Sequence, residues 1–247
     1  MTDRLDPIVE RLRAAQSIVV FTGAGISAES GIPTFREAQT GLWARFSPEQ
    51  LASSGAFRED PQRVWDWYAW RRQLCLEAEP NAGHQAVSAL AVRTQAFTLI
   101  TQNVDGLHQR AGNTDALELH GSIHGLRCFE CERPGGNWPE PPGQVVTCEC
   151  GGLMRPTIVW FGESLPVDVL QRAEAAASQA EVFISVGTSS QVYPAAELPF
   201  VAKRNGAYVI EVNPHETPLS RTADVCLQGA AGEWLPALVR ALGWAAA

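Results

Sequence analysis

The stretch SIVVFTGAGISAESGIP, residues 17–33, decides the fold class of this chain. It begins with SIVVF at 17–21, a β-rich run with the length of a buried strand. This strand leads into a turn in which Gly23 and Gly25 allow the backbone to approach a phosphate closely. The third glycine comes only at Gly31, so the pattern departs from G-x-G-x-x-G, and no helical pattern follows at once. A plain tight turn is the competing interpretation.

Further strand-like runs alternate with helical patterns along the rest of the chain. The runs are FTLIT (97–101), ALEL (116–119), VFISVG (182–187), AYVIEVN (207–213) and VCLQG (225–229). This alternation predicts an α/β fold with a parallel, doubly wound sheet that helices cover on both faces. Ligands bind such sheets at the carboxyl ends of the strands. Those ends carry GAGIS, QNVDG, GTSS and VNP, which favours a nucleotide site.

Composition and charge narrow the class of protein. The 247 residues allow one large domain, or one domain with a small insert. With 19 basic and 27 acidic side chains the net charge is −8, which argues against nucleic acid as the main partner. The apolar runs are shorter than the roughly 18 residues of a membrane span, and the first residues lack a secretory pattern. We therefore expect a cytoplasmic protein with no membrane partner. The oligomeric state stays open, with a monomer among the alternatives.

Two regions interrupt the alternation and are predicted to be inserts. Residues 36–79 are helical and rich in aromatic side chains, and residues 125–156 are rich in Pro, Gly and Cys. The large part of a single domain, 1–247, then consists of residues 1–35, 80–124 and 157–247.

Four cysteines in the second insert form a C-x2-C-x16-C-x-C pattern, with Cys128, Cys131, Cys148 and Cys150. Four thiolates suit tetrahedral zinc, and a site filled entirely by cysteine is structural rather than catalytic. A zinc ribbon that binds nucleic acid is the alternative, but Arg133 is the only basic residue between the first and last of these cysteines.

Polar side chains follow two of the predicted strands. Asn103 and Asp105 lie in TQNVDG, and His120 closes LELH just before a glycine. A neutral imidazole at such a place can act as a general base near pH 7. Asn and Asp are also common in turns, and a lone histidine is usually a satisfied polar residue. We interpret His84, His108 and His215 as satisfied polar residues of that kind.

The motifs in combination resemble the sirtuins, the NAD-dependent protein lysine deacylases. The similarity rests on GAGISAESGIPTFR, TQNVDGLHQRAG, LHGS, the four cysteines, RPTIVWFGE, VGTSS and VNP in that order, and spans about residues 17–238. It implies a Rossmann-type large domain with a small zinc-binding domain, and a cleft between them for NAD and an acyl-lysine peptide.

The resemblance also implies roles for individual residues. Contacts to NAD are implied for Gly23, Ala24, Gly25, Ile26, Ser27, Phe35, Arg36, Gln102, Asn103, Asp105, Gly187, Thr188, Ser189, Asn213 and Ala231. The substrate backbone is expected to pair with Val159, Trp160, Phe161, Gly162 and Glu163. His120 is the implied catalytic base, with Asn103 as the second catalytic residue. In the implied reaction the acyl oxygen displaces nicotinamide from the ribose to form an imidate. His120 takes a proton from a ribose hydroxyl, which attacks the imidate, and hydrolysis by water then yields lysine and O-acyl-ADP-ribose.

One departure concerns the acyl group. Many sirtuins have Asp before Phe-Arg in the first loop, whereas this chain has Thr34, which resembles the branch that removes succinyl and malonyl groups. In that branch a Tyr-x-x-Arg pair on a helix meets the acyl carboxylate, and Tyr68 and Arg71 in WYAWRR match it. Arg72 is interpreted as a surface charge.

Two other functions remain as alternatives. One is mono-ADP-ribosylation of proteins, and the other is a non-catalytic NAD-sensing or zinc interaction module. The residues alone, without the resemblance, do not separate a deacylase from a dehydrogenase.

Overall fold

The computed structural model describes residues 2–34, 38 and 44–244. Its strands are β1 Ser17–Thr22, β2 Ala96–Thr101, β3 Leu117–Glu118, β4 Leu126–Cys128, β5 Met154–Pro156, β6 Val182–Val186, β7 Tyr208–Asn213 and β8 Val225–Gln228. Six of them form one parallel sheet in the order β3-β2-β1-β6-β7-β8. Counted within that sheet, this is 3-2-1-4-5-6, the strand order of the Rossmann fold. The predicted fold class is therefore confirmed, and the strand order reverses between β1 and β6.

Helices cover both faces of the sheet. The helices of the described residues are α1 Thr2–Ala14, α2 Gly25–Ala28, α3 Pro48–Leu51, α4 Ser54–Glu59, α5 Pro61–Glu77, α6 Ala82–Arg93, α7 Leu107–Arg110, α8 Val167–Gln179, α9 Leu198–Arg204 and α10 Ala231–Leu242. Residues of α1, α6 and α10 share a buried cluster with one face, and residues of α8 and α9 share another with the opposite face. In the described part of the chain, no helix has both the length and the apolar character to cross a membrane.

Helix α2 corrects one expectation from the sequence. A helical turn begins at Gly25, directly after the glycine loop, where no helix was expected. A helix of four residues is too short to show a helical period in the sequence.

The aromatic helices and the cysteine-rich segment share a third buried cluster. Trp65, Trp67 and Tyr68 of α5 are at most 2% exposed. The Trp65 ring centroid lies 4.3 Å from that of Trp138, which belongs to the cysteine-rich segment. The two predicted inserts are thus packed against each other. Their exact boundaries, 36–79 and 125–156, stay a prediction.

Local signals fix where the aromatic helices start. Ser53 and Asp60 accept hydrogen bonds from the backbone N–H groups of Ala56 and Arg63, which caps α4 and α5. Pro61 occupies the first turn of α5, where its missing N–H costs nothing.

Candidate active site

The glycine loop after β1 meets the glycine after β6 at the point where the strand order reverses. Gly23 N donates to Val186 O at 3.0 Å, and Gly25 N donates to Gly187 O at 2.8 Å. A Cβ atom on Gly25 would lie 2.7 Å from Gly187 Cα, so no larger residue fits there. Gly187 has φ +59°, a left-handed conformation that favours glycine. This bare backbone lies at the crevice where sheets of this order bind dinucleotides.

Behind the loop lies a buried polar cluster formed by Ser27, Asn103 and Asp105, which are all at most 8% exposed. Ser27 Oγ donates to Asp105 Oδ2 at 2.8 Å, and Asn103 Nδ2 donates to Gly23 O and to Ser27 Oγ, both at 3.1 Å. Asp105 Oδ1 accepts from Leu107 N at 2.9 Å. These bonds hold the loop after β1 against the loop after β2. The sequence predicted that these polar groups would converge, and they do.

A second set of bonds joins the ends of β2, β6 and β7. Gln102 Nε2 donates to Thr188 Oγ1 at 2.8 Å, and Asn213 Nδ2 donates to Thr188 O at 2.7 Å. Ser189, the next residue, is exposed. Ala231 lies in the first turn of α10 and is buried. The residues implied for NAD on the later strands therefore lie on one edge of the sheet.

His120 lies just beyond β3 and is held through one ring nitrogen. Its Nδ1 lies 2.9 Å from Gln102 O. A carbonyl only accepts, so Nδ1 carries the proton and Nε2 is the lone-pair nitrogen. Among the described residues, none makes a hydrogen bond to Nε2. Burial lowers the pKa of His120, against the opposing effect of the Gln102 carbonyl, so the ring is neutral at pH 7. This arrangement presents a general base.

The segment 159–163 runs from His120 to the aromatic helices. Val159 N donates to His120 O, and Phe161 N donates to Ala52 O, both at 2.9 Å. The segment is irregular rather than a regular strand, and an isolated bridge joins Phe161 to Ser53, the residue before α4. Trp160 is buried, whereas Phe161 is 49% exposed and Gly162 is exposed. The segment therefore begins at the backbone of His120 and exposes Phe161 and Gly162 to solvent.

Helix α5 places Tyr68 and Arg71 beside each other in a largely buried environment. Burial raises the pKa of Tyr68 to about 12, and the charge of Arg71 acts in the opposite direction. Burial also lowers the pKa of Arg71, while Tyr68, Cys75 and Asp105 act to raise it. The Arg71 guanidinium carbon lies 5.5 Å from the Trp67 ring centroid. The guanidinium is thus within electrostatic range of both the Tyr68 hydroxyl and the polar cluster behind the loop.

The four cysteines converge as predicted. Cys128 Sγ lies 3.5 Å from Cys150 Sγ, Cys131 Sγ lies 3.9 Å from Cys148 Sγ, and all four sulfurs lie within 4.8 Å of one another. Tetrahedral zinc with Zn–S bonds of about 2.3 Å separates its sulfurs by about 3.8 Å, so the thiols fit this ion. The backbone N–H of Cys131 donates to Cys128 Sγ and lowers its pKa to about 6, which favours the ligating thiolate.

Comparison with known proteins identifies the family. A family model described as "Sir2 family" matches residues 23–194. The chain belongs to the Sir2 family. An NAD-dependent protein deacylase of Aquifex aeolicus is 57% identical over 211 residues, which cover 85% of this chain and 88% of that protein.

Solved structures of sirtuins match nearly the whole chain. A crystal structure of a Sir2 homolog–NAD complex matches with a TM-score of 0.91 at 46% identity, covering 96% of this chain and 93% of that one. A Sir2–p53 peptide–NAD+ structure matches with a TM-score of 0.87 at 32% identity, covering 98% of this chain and 99% of that one. The resemblance drawn from the motifs is therefore confirmed.

Two histidines behind the loop of this sirtuin were not recognised as part of the site. His108 Nε2 lies 2.9 Å from Thr22 Oγ1, and His84 Nε2 lies 3.5 Å from Ser27 Oγ. Burial lowers the pKa of His108 to about 3 and that of His84 to about 4, so both rings are neutral. His84, whose Nδ1 also accepts from Asn81 N at 3.3 Å, is a satisfied polar group, as the sequence suggested. For His108 that expectation is wrong, because its buried Nδ1 has no hydrogen-bond partner among the described residues. Both rings support the loop. The signal in the sequence that could have placed His84 is its spacing from Asn81, which matches the capping pattern at the start of α6.

The structure also corrects the interpretation of Arg72 as a surface charge. Its side chain is 15% exposed and pairs with Glu140 at 2.7 Å, and its guanidinium carbon lies 5.5 Å from the Trp138 ring centroid. It therefore joins α5 to the cysteine-rich segment of this sirtuin and is not a plain surface charge. Phe35 and Arg36, which were implied to contact NAD, lie outside the described residues.

Proposed function

We propose that this sirtuin is an NAD-dependent protein lysine deacylase that transfers the acyl group of a modified lysine to ADP-ribose. The observation that carries the proposal is His120, a neutral imidazole whose Nδ1 is held by a backbone carbonyl, at the strand edge that carries the glycine loop. NAD and a structural zinc ion are its cofactors, as the sequence predicts. NAD-dependent relatives of high identity support the first and the geometry of the four thiols supports the second.

We propose a separate role in the reaction for each group of site residues. NAD, when bound, supplies the ADP-ribosyl group that accepts the acyl oxygen as nicotinamide leaves. Gly23, Gly25 and Gly187 let the loops after β1 and β6 pack backbone against backbone at the crevice, since a Cβ atom on any of them would clash with the facing loop. Asn103 and Asp105 are proposed to orient the ribose and nicotinamide. His120 Nε2 takes a proton from a ribose hydroxyl, and the Gln102 carbonyl stabilises the imidazolium that forms.

The substrate peptide is proposed to lie along Val159–Glu163 in an extended conformation, a form of strand addition. The exposure of Phe161 and the bond from Val159 N to His120 O support this, because the segment begins at the backbone of His120 and presents an exposed residue two positions later. The structure of a Sir2 relative with a p53 peptide is consistent with such a partner.

We propose further that succinyl and malonyl groups are preferred to acetyl. Tyr68 and Arg71 offer a hydroxyl and a charged guanidinium from adjacent turns of α5 in a largely buried place. Such a pair suits one carboxylate, since charge-assisted bonds to a guanidinium are strong where water is scarce. An acetyl group offers only a methyl at that position and gains none of these bonds.

The test is nicotinamide release from NAD with acetyl, succinyl and malonyl versions of one lysine peptide, for the wild type and His120→Ala. We expect release only when an acyl peptide is present, and almost none from the variant. Transfer of labelled ADP-ribose to protein by His120→Ala would favour the transferase alternative. NAD binding without turnover of any peptide would favour the sensing module.

The remaining proposals concern organisation. The large part is proposed to comprise residues 1–35, 80–124 and 157–247, with inserts at 36–79 and 125–156. We propose acyl-lysine proteins as partners and the cytoplasm as location. The surplus of acidic over basic side chains supports the exclusion of nucleic acid as a partner.

A further inference from the structure

Glu163 is the last residue of the proposed substrate segment, yet its carboxylate is directed into the protein. Oε1 accepts from Arg155 Nη1 and from Ser54 Oγ, the latter at 2.9 Å. Oε2 accepts from Arg155 Nη2 at 3.0 Å and from Trp160 N at 2.9 Å. In addition, Arg127 Nη2 lies 3.5 Å from Oε2. With four hydrogen bonds already accepted, this carboxylate is not available to bind a peptide directly.

Arg155 connects this carboxylate to the rest of the segment. Its side chain is 3% exposed, and Nη2 also donates to Ile158 O at 2.7 Å. Its guanidinium carbon lies 3.3 Å from the Trp160 ring centroid, in cation–π contact. One guanidinium therefore holds both ends of the segment 158–163 and the indole between them.

These contacts close a tight turn. Glu163 N donates to Trp160 O at 3.0 Å, and the Glu163 side chain accepts from Trp160 N. Glu163 therefore binds both the backbone carbonyl and the backbone N–H of Trp160. The two residues between them are the ones displayed to solvent, Phe161 and Gly162. Gly162 has φ +84°, which the turn requires and other residues rarely adopt.

We propose that Glu163 and Arg155 are positioning residues for the acyl peptide. Together they fix the turn 160–163, so that Phe161 and Gly162 present a preformed surface to the peptide. This inference rests on the proposed function. Arg155 and Arg127 belong to β5 and β4, the two strands of the sheet that carries Cys128, whereas the NAD crevice lies at the ends of β1 and β6. Loss of the cluster therefore weakens peptide binding and leaves NAD binding intact.

The test is Glu163→Gln, which keeps the shape of the side chain and removes its charge. A hydrogen bond to a charged group contributes about 1.5–3 kcal/mol, and loss of the lower figure corresponds to about a tenfold change. We expect the peptide KM, and the peptide Kd measured without NAD, to rise about tenfold, while the Kd of NAD changes less than about twofold. Near-UV circular dichroism is expected to change because the Trp160 ring loses its fixed surroundings. Arg155→Lys should show an intermediate effect, since it keeps the charge and loses the fork.

Asp224→Asn is the matched control. Asp224 accepts from Lys203 at 2.6 Å and precedes β8, at the opposite edge of the sheet, so peptide KM is expected to stay the same. An unchanged peptide Kd in folded Glu163→Gln would overturn the positioning role while leaving deacylation in place. Equal weakening of NAD and peptide would overturn it too, since that indicates a general loss of structure. A wild type that neither binds acyl peptide nor releases nicotinamide would refute the proposed function itself, and the peptide role with it.

Discussion

Arg71→Met is the substitution that tests the proposed acyl preference most directly. Arg71 lies on α5 one turn after Tyr68, and its charge acts on that hydroxyl and on Asp105. A guanidinium stays protonated in proteins, so the side chain offers a fixed positive charge at neutral pH. Methionine keeps an unbranched stem that can pack on the Trp67 ring, 5.5 Å from the present guanidinium, and removes only the charge and the donors.

The expected size of the effect follows from the bond that is lost. A hydrogen bond to a charged group contributes about 1.5–3 kcal/mol, and 1.36 kcal/mol corresponds to a factor of ten. We expect kcat/KM for a succinyl-lysine peptide to fall about 10- to 150-fold. For the acetyl version of the same peptide, which has no carboxylate, we expect a change of less than about threefold.

The assay is nicotinamide release with both peptides, and Arg72→Met is its matched control. Arg72 follows on the same helix and pairs with Glu140 at 2.7 Å, so its loss should affect both peptides equally. An equal fall for succinyl and acetyl peptides in a folded Arg71→Met protein would refute the reasoning. A selective loss of NAD affinity would refute it as well, and would indicate that the charge of Arg71 acts on NAD binding through Asp105.

Three further predictions concern pH and metal. Since burial lowers the pKa of His120, the acidic limb of kcat/KM against pH should have an apparent pKa below 6.5, and a limb above 7 would contradict the assignment of the base. Burial lowers the pKa of His108 to about 3, so below pH 6.5 the unfolded chain binds a proton that the native state does not. The free energy of unfolding should then fall with decreasing pH. His108→Gln should reduce the slope of this free energy against pH by about 1.4 kcal/mol per pH unit between pH 6 and 4, measured by denaturant titration. An unchanged slope would count against a buried neutral ring. Chelation of zinc should disrupt the packing of Trp138 on Trp65 and change tryptophan fluorescence, whereas loss of activity with unchanged fluorescence would contradict a structural ion.

Features that depend on local pattern could be predicted from the sequence. The apolar strands, the glycine loop after β1 and the spacing of the four cysteines each carry their own signal within a few residues. Parallel strands bring their carboxyl ends to one edge, so the location of Asn103, Asp105 and His120 at that edge followed from the fold class. Features set by distant contacts carried no such signal. Helix α2 is too short to show a period, and the support that His108 gives the loop depends on a bond to Thr22, far away in the sequence.

The contrast between two arginines shows why motif letters alone do not assign a site. Arg71 and Arg155 both lie over a tryptophan ring, with guanidinium carbons 5.5 Å and 3.3 Å from the centroids. Both Nη groups of Arg155 donate to Glu163, so this charge is compensated inside the protein and its effect on a peptide is indirect. The charge of Arg71 acts on the Tyr68 hydroxyl and on Asp105, groups that belong to the two proposed binding sites. Substitution of Arg155 should therefore weaken every acyl peptide alike, whereas substitution of Arg71 should discriminate between acyl groups.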